Sequence, residues 1–196
     1  MIQQPLLKTE RLLLRPFVME DAPAVQHLAG DRDIAAMTLS IPHPYSLSFA
    51  EDWIELHPDL LAKGTGVNYA IVWAEEPQLC GAQLCGAIGL GIDPVKRHAE
   101  LGYWIGKPDW GRGICTEAAK AILNYGFEQL GLECIHSTHF ACNPASGRVM
   151  QKIGMRYEAY RPQYTLKWGR FEDIVQYVIT REDWQANLTQ TVIGGL

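Results

Sequence analysis

A chain of 196 residues, of which 47% are hydrophobic and 20% charged, has enough apolar side chains to bury one core, and this argues against intrinsic disorder. The net charge of −5 and the lack of a Lys/Arg cluster argue against a nucleic-acid partner. Charges interrupt the apolar residues of segment 1–17, so we expect neither a secretory leader nor a membrane anchor and predict a cytoplasmic protein.

The cysteines indicate reduced thiols rather than a disulfide framework, because their number is odd and no CxxC spacing occurs: Cys80, Cys85, Cys115, Cys134 and Cys142. On a strand, Cys134 and His136 would share one face while His139 lies on the other, so a common ion is unfavourable and we expect no metal. No cysteine is evidently paired with a histidine and a carboxylate, and the GxSxG motif of nucleophilic serines is absent.

The first half of the chain predicts one strand, two helices and two further strands. In chain order, the strand is at 10–17, the helices at about 19–29 and 46–63, and the strands at 67–74 and 87–92. Gly64 and Gly66 end the second helix. Residues 75–83 predict a hairpin connection between the two later strands.

The second half continues with a strand, a helix, a strand, a helix and two strands. The predicted bounds are 98–106, 113–130, 134–142, about 144–154, 156–167 and 171–180. Asn143 is a plausible cap for the second of these helices, since Pro144 would occupy its first position. This order predicts one mixed-sheet α/β layer structure in a single domain, 1–196.

Two glycines stand directly before a helix in the stretch PDWGRGICTEAAKAI, residues 108–122. Glycine costs helix stability, so Gly111 and Gly113 indicate that the backbone itself is needed at this helix entrance. The free amides of residues 111–116 would point outward at the positive end of the helix dipole, which predicts an anion site. The nucleotide-binding motifs GxGxxG and GxxxxGK[ST] are absent.

Three segments, TERLLLRPF, AELGYWIGKPDWGRGICTEAAKAI and NPASGRVMQKIGM, together resemble the GNAT superfamily of N-acetyltransferases and, within it, the ribosomal-protein N-terminal acetyltransferases. The resemblance covers about residues 8–184 and leaves a C-terminal tail at about 187–196. It implies an α/β (α+β) fold with a central mixed, mostly antiparallel sheet of six to seven strands, about four helices, and central strands that splay apart.

The resemblance also implies acetyl-CoA as co-substrate. The family motif Q/R-x-x-G-x-G/A falls on residues 110–115 and departs from it at the first position, Trp110, and the last, Cys115. The family's diphosphate site would use the amides there, and a slot between the strand ending at Ile105 and strand 134–142 would hold the pantetheine arm. The implied cofactor-binding residues are Tyr103, Trp104, Ile105, Trp110, Gly111, Arg112, Gly113, Ile114, Cys115, Thr116, Asn143 and Ser146.

Acetyl transfer to an amine requires a base for the amine and a proton for the departing thiolate. Our candidate base is Glu100, acting through a water, although a strand carboxylate facing solvent or one that attracts a cationic substrate is the alternative. Many family members place a tyrosine where this chain has Met150. Ser146 is therefore the candidate that hydrogen-bonds the thiolate, unless solvent protonates the sulfur.

The sequence does not decide whether the acceptor is a protein N-terminus, a small-molecule amine or a polyamine. In this family the segment between the first strand and the first hairpin lines the acceptor side, which makes His43, Tyr45 and Trp53 candidate substrate contacts. Two other functions remain: a non-catalytic acyl-CoA-binding regulatory module, and an acyltransferase that uses a longer chain. The sequence leaves monomer and homodimer equally open.

Overall fold

An eight-stranded sheet organises the protein, and the computed structural model describes it over residues 3–74 and 83–193. Its order is β1-β2-β3-β4-β5-β6-β8-β7, with strands β1 (Leu7–Lys8), β2 (Leu12–Arg15), β3 (Gly66–Trp73), β4 (Leu84–Asp93), β5 (His98–Ile105), β6 (Cys134–Phe140), β7 (Arg156–Lys167) and β8 (Arg170–Thr180). All neighbours are antiparallel except β5 and β6, so the predicted mixed, mostly antiparallel sheet is confirmed.

Seven α-helices accompany these strands in the described part of the chain: α1 (Ala22–Ala29), α2 (Arg32–Ala36), α3 (Leu47–Glu55), α4 (His57–Ala62), α5 (Ile114–Glu128), α6 (Pro144–Lys152) and α7 (Arg181–Ile193). None of the helices between residues 3 and 193, leaving aside the undescribed stretch 75–82, is long and apolar enough to cross a membrane. The predicted hairpin connection falls on residues 75–83 and, like Cys80, lies almost wholly outside the described residues.

The helices cover both faces of the sheet. On one face α5 and α6 bury apolar side chains against β3, β4, β5 and β6, for example Ile122 and Met150 against Leu101. On the other face α1 and α3 pack on Ala70, Val72 and Leu84, with Trp104 at the edge of that cluster. Because side chains alternate along a strand, Leu101 and Tyr103 of β5 face α5, whereas Glu100, Gly102 and Trp104 face the opposite side.

The parallel pair β5–β6 is short. It joins His98 with Cys134, Ala99 with Ile135 and Glu100 with His136, and it ends there although both strands continue. Just beyond these pairs, the Ser137 hydroxyl donates to the Leu101 carbonyl at 2.9 Å and links β6 to β5. Beyond this point a gap opens between them, which confirms the predicted parting of the central strands.

Four elements, β1, α2, α4 and α7, differ from the sequence prediction. The sheet has eight strands instead of six to seven because β1, only two residues long, was not predicted. Four helices replace the two predicted between β2 and β3, because Asp31 caps a new helix and Pro58 lacks the amide that would continue α3.

Helix α7 was also not predicted, and the expected tail begins inside it. It starts with a reciprocal cap, in which the Asp183 amide donates to the Thr180 hydroxyl at 3.2 Å and the Thr180 amide donates to Asp183 at 3.0 Å. Trp184 fixes this helix on the core by stacking on Phe127 at 5.3 Å between ring centroids. The cap was visible in the sequence, but the helix lacks a clear apolar stripe.

His57 is a buried, uncharged histidine in an aromatic setting. Its ring lies 4.5 Å from Trp53 and 5.4 Å from Phe17 between centroids, and neither ring nitrogen has a hydrogen-bond partner among the described residues. Burial lowers the pKa of His57 from 6.5 to about 4, because the apolar surroundings disfavour the charged form.

This histidine predicts a loss of stability in mild acid. Below pH 6.5 the unfolded chain binds a proton at His57 that the folded protein takes up only near pH 4, so the free energy of unfolding falls by about 3 kcal/mol over that interval. His57→Phe should remove this part of the pH dependence, measured by urea unfolding from pH 8 to pH 4. The exposed His27, changed to Gln, is the control, and equal pH slopes in wild type and His57→Phe would contradict the prediction.

Candidate active site

A cavity of about 1030 Å³ opens where β5 and β6 part. It is bordered by the loop before α5 with the first turn of α5, by α6, by strands β4, β5 and β6, and by segment 33–41. Trp53 of α3, Asn68 of β3 and Ile174 of β8 also reach it. Most of the predicted site residues therefore surround one space, although they come from distant parts of the chain; His43, Tyr45 and Arg112 do not border it.

The entrance to α5 has the backbone conformation that the two glycines predicted. Gly111 and Gly113 have φ values of 75° and 79°, in the left-handed region that side chains disfavour. Gly113 is the N-cap and has no side chain to bond the first-turn amides, so Ile114, Cys115 and Thr116 present free N–H groups to the cavity. Added to the helix dipole, these donors form a cradle for an anion.

An ion pair from the N-terminal strands holds this cradle in place. Glu117 accepts from the Thr9 hydroxyl at 2.6 Å and from the Arg11 amide at 2.9 Å. The Arg11 guanidinium reaches Glu117 at 2.6 Å and donates to the Arg112 carbonyl at 3.1 Å. No local pattern predicts this link, because Arg11 and Glu117 are 106 positions apart in the sequence.

Other predicted residues of the loop have structural contacts. The Trp110 indole donates to the Ile105 carbonyl at 2.6 Å, which ties the loop to the end of β5. The Arg112 side chain turns away from the cavity, since it pairs with Asp109 at 2.7 Å and lies 4.4 Å from the Trp73 ring. In this arrangement, Arg112 can contact a ligand in the cavity only through its backbone.

Tyr103 and Ser146 meet across the gap. The two hydroxyl oxygens are 2.8 Å apart, and the Tyr103 hydroxyl also lies 3.2 Å from the Ser146 carbonyl. Asn143 caps α6 by accepting from the Ser146 amide at 3.3 Å. Burial raises the pKa values of the Tyr103 hydroxyl and the Cys115 thiol, so both remain protonated near neutral pH. We had predicted a role for Ser146, but not its contact with this hydroxyl.

Glu100 lies on the opposite face of β5 from Tyr103. Its side chain is exposed and borders the cavity, where the Thr138 hydroxyl approaches it at 3.4 Å. Trp104 shares that face and packs at the edge of the cluster formed by α1 and α3. The carboxylate is therefore available to a group that enters from the side opposite to α5.

Of the three predicted substrate contacts, the structure brings only Trp53 to this cavity. His43 and Tyr45 border a separate, smaller cavity of about 480 Å³, and the His43 ring lies 5.9 Å from that of Trp168. Segment 33–41, which the sequence analysis did not single out, also borders the main cavity.

Two basic side chains that sequence analysis missed also border the cavity. Arg148 and Lys152 are exposed and lie one turn apart on α6, beside the amide cradle. Their spacing of four residues behind a predicted cap was the available signal. Backbone amides that the glycines leave accessible, together with two cations on the same cavity, fit a diphosphate or phosphate ester. This is the chemistry expected of coenzyme A.

The cysteines do not add a second reactive centre to the cavity. Cys115, Cys134 and Cys142 are free thiols, and no group of three side chains in the described ranges could hold a metal ion. The sequence analysis found no cysteine paired with a histidine and a carboxylate, but the structure contains one. Cys134 lies 3.3 Å from His136 Nε2, and His136 Nδ1 lies 3.3 Å from Glu158. Burial, followed by the Glu158 charge, raises the Cys134 pKa, so the thiol stays protonated.

Comparisons with known proteins agree with this geometry. A family model described as an acetyltransferase (GNAT) domain matches residues 11–156. An uncharacterized N-acetyltransferase of Bacillus licheniformis, p20, is 28% identical over 178 residues, which cover 91% of this chain and 97% of that protein. The ribosomal protein uS5-alanine N-acetyltransferase of Escherichia coli is 31% identical over 84 residues, 43% of each chain.

A solved structure extends the likeness to the whole fold. The crystal structure of a GNAT-family acetyltransferase from Bacillus anthracis has a TM-score of 0.79 and 26% identity, with coverage of 91% of this chain and 99% of that chain. The predicted fold and the predicted likeness to ribosomal-protein acetyltransferases are thereby confirmed.

The cradle predicts a specific effect of adding one methyl group. Gly113→Ala puts a side chain on a left-handed residue, at a cost of about 1–2 kcal/mol, so the free loop relaxes and binding has to restore its shape. We expect the dissociation constant of CoA, measured by calorimetry, to rise roughly 5- to 30-fold.

Gly64→Ala is the matched control. Gly64 also has a positive φ, 66°, and open space around its Cβ position, but it lies after α4 outside the cavity. This variant should lose comparable stability and keep its CoA affinity. Unchanged CoA binding by Gly113→Ala would show that the loop does not hold the diphosphate.

Proposed function

Because the chain belongs to the GNAT acetyltransferase family, we propose that it transfers the acetyl group of acetyl-CoA to a primary amine, of a protein N-terminus or a small molecule, by direct attack in a ternary complex. The observation that supports this most is the single cavity that joins the amide cradle of α5 to Glu100 through the gap between β5 and β6. Donor and acceptor can enter it from opposite faces of the sheet.

In this proposal the chain holds acetyl-CoA through its backbone. The amides of Ile114, Cys115 and Thr116 bind the diphosphate, and Arg148 and Lys152 supply positive charge beside it. The edge of β5 beyond Glu100 has lost its β6 partner, so its backbone groups can bond the pantetheine arm and the thioester carbonyl.

Glu100 takes the proton of the acceptor amine, directly or through a water. An amine with a pKa of about 10.4 is neutral in only roughly one molecule in 10³ at pH 7, so a base increases the reactive fraction. The exposed position of Glu100 on the acceptor face, with only the weak Thr138 contact, leaves its oxygens free for this task.

Ser146 donates a hydrogen bond to the departing thiolate. Its hydroxyl is placed by two contacts, the Asn143 cap on its amide and the Tyr103 hydroxyl at 2.8 Å. The Tyr103 hydroxyl has one hydrogen, and both the Ser146 hydroxyl oxygen at 2.8 Å and the Ser146 carbonyl at 3.2 Å can accept it. When it goes to the hydroxyl oxygen, the serine hydrogen is free for the sulfur. Met150, where many family members have tyrosine, is fully buried in the core and takes no part.

An acyl-CoA-binding module without catalysis is the alternative, because it would retain the cradle. Incubation with isotopically labelled acetyl-CoA and a panel of amines and peptides, followed by mass spectrometry, separates the two. Tight CoA binding without product for any acceptor would favour the module. A preference for a longer thioester would indicate a different acyl donor.

Glu100→Gln should change the pH dependence of turnover. Without the base, the reaction relies on amine that is already neutral. We therefore expect kcat to fall about 10²-fold near pH 7 and to recover as the pH approaches the pKa of the amine. Thiol release at saturating substrates from pH 6.5 to 9.5 measures this. Glu128→Gln, an exposed glutamate at the end of α5, is the control. If the pH profile of Glu100→Gln runs parallel to that of the wild type, Glu100 is not the base.

Ser146→Ala should lower kcat about tenfold or more while the KM for acetyl-CoA changes little. The deficit should shrink above a pH of about 8.5, where a thiolate leaves without needing a proton. Ser48→Ala, in the first turn of α3, controls for the loss of a helix serine. If kcat is unaffected at pH 7, solvent protonates the sulfur.

A further inference from the structure

We infer that the acceptor is an amine with a single positive charge and an apolar carbon skeleton, which lies on a strip of the sheet without side chains at Gly91 and Gly102. This inference rests on the proposed function and names the substrate class of the same cavity. The acceptor is thus an apolar small amine or the α-amine of an apolar N-terminal residue, rather than a polyamine or an aminoglycoside-like polycation.

The strip lies on the acceptor face of β4 and β5. Gly91 pairs with Glu100 and Gly89 pairs with Gly102, so three glycines surround the carboxylate. A Cβ atom added at Gly91 or at Gly102 would meet nothing within 4 Å, although neither residue has a positive φ. Backbone conformation therefore does not require glycine at these two positions. Their missing side chains leave space next to Glu100 inside the cavity.

Asn68 marks one end of the strip. A Cβ at Gly89 would collide with the Asn68 side-chain oxygen, so this amide lies flat on the sheet beside the open glycines. Asn68 also borders the cavity. It offers a polar group on the part of the sheet where the acceptor would lie.

The wall formed by segment 33–41 and α3 is mostly apolar. Beside the polar residues Asp33, Thr38 and Ser40, it contains six apolar residues: Ile34, Ala36, Met37, Leu39, Ile41 and Trp53. Met37 and Leu39 remain 39% and 48% exposed, although they are large apolar side chains. An apolar acceptor would cover them and gain about 25 cal/mol per Å² of apolar surface removed from water.

The charges around the cavity leave one carboxylate for the acceptor. Three acidic residues border it in the described part of the chain: Asp33, Glu100 and Asp109. Asp33 pairs with Lys107 at 2.6 Å, and Asp109 pairs with Arg112 at 2.7 Å. Only Glu100 has no cationic partner among these residues.

The rim of the cavity also disfavours a second cation. Lys167 donates to the Ile41 carbonyl at 2.8 Å and so brings a positive charge to the apolar wall. Asp31 lies 3.6 Å from Lys107, but it caps α2 and does not border the cavity. A second ammonium group on the acceptor would therefore lose hydration without gaining a carboxylate.

A pair of amines of equal length tests the charge. Hexylamine and 1,6-diaminohexane differ only in the second ammonium, and we expect kcat/KM to be at least about tenfold higher for hexylamine. Calorimetry with the protein–CoA complex should show the same preference in the dissociation constants. Equal or tighter binding of the diamine would overturn the inference.

Gly102→Ala tests the strip. The new methyl group occupies open space, so the fold should tolerate it, and we expect the ratio of kcat/KM for benzylamine to kcat/KM for ethylamine to fall at least fivefold. Gly66→Ala, on β3 outside the cavity and with only ordinary contacts at its Cβ, is the control. Equal effects on both amines, or none, would contradict the role of Gly102.

The outcomes separate the two proposals. If CoA binds but no amine is acetylated, the proposed function fails, and the calorimetric comparison of hexylamine with the diamine still decides the inference. If acetylation occurs and the diamine is preferred, the proposed function stands and the inference is wrong.

Discussion

The end of the β5–β6 pairing after Glu100 and His136 is the constraint on which the site depends. Two parallel strands that stayed paired would fill the space between α5 and α6 with an unbroken sheet. Because they part, the cavity passes through the sheet and the backbone of β5 gains a free edge. The Ser137 hydroxyl, bonded to the Leu101 carbonyl, links the two strands just beyond these pairs and so fixes where the gap begins.

This gap divides the chemistry between the two faces of the sheet. In our proposal, the α5 face binds the anionic donor and its departing sulfur through the amide cradle, the basic side chains of α6 and the Tyr103–Ser146 hydroxyl pair. The other face, with Glu100, the glycine strip and the apolar wall, binds the amine. Alternation along β5 produces this division, since Tyr103 and Glu100 are three positions apart and therefore point to opposite sides.

Local rules made much of the fold predictable. Apolar alternation located most of the strands, and the caps and glycines located α5 and α6, because these signals act within a few residues. The same rules failed at α4, where Pro58 starts a new helix, and at α7, whose cap precedes a helix without a clear apolar stripe. Segment 33–41 also has no periodic pattern that would have predicted its place on the cavity.

The sequence by itself determined the backbone cradle, because glycine at positions 111 and 113 is required by a conformation that other residues disfavour. It also placed Glu100 and Ser146 on elements whose type was recognisable. The tertiary structure alone decided which residues meet: Tyr103 with Ser146 across 43 positions, and Arg11 with Glu117 across 106. Such contacts depend on strand register and helix packing, which many residues set together and no local pattern encodes.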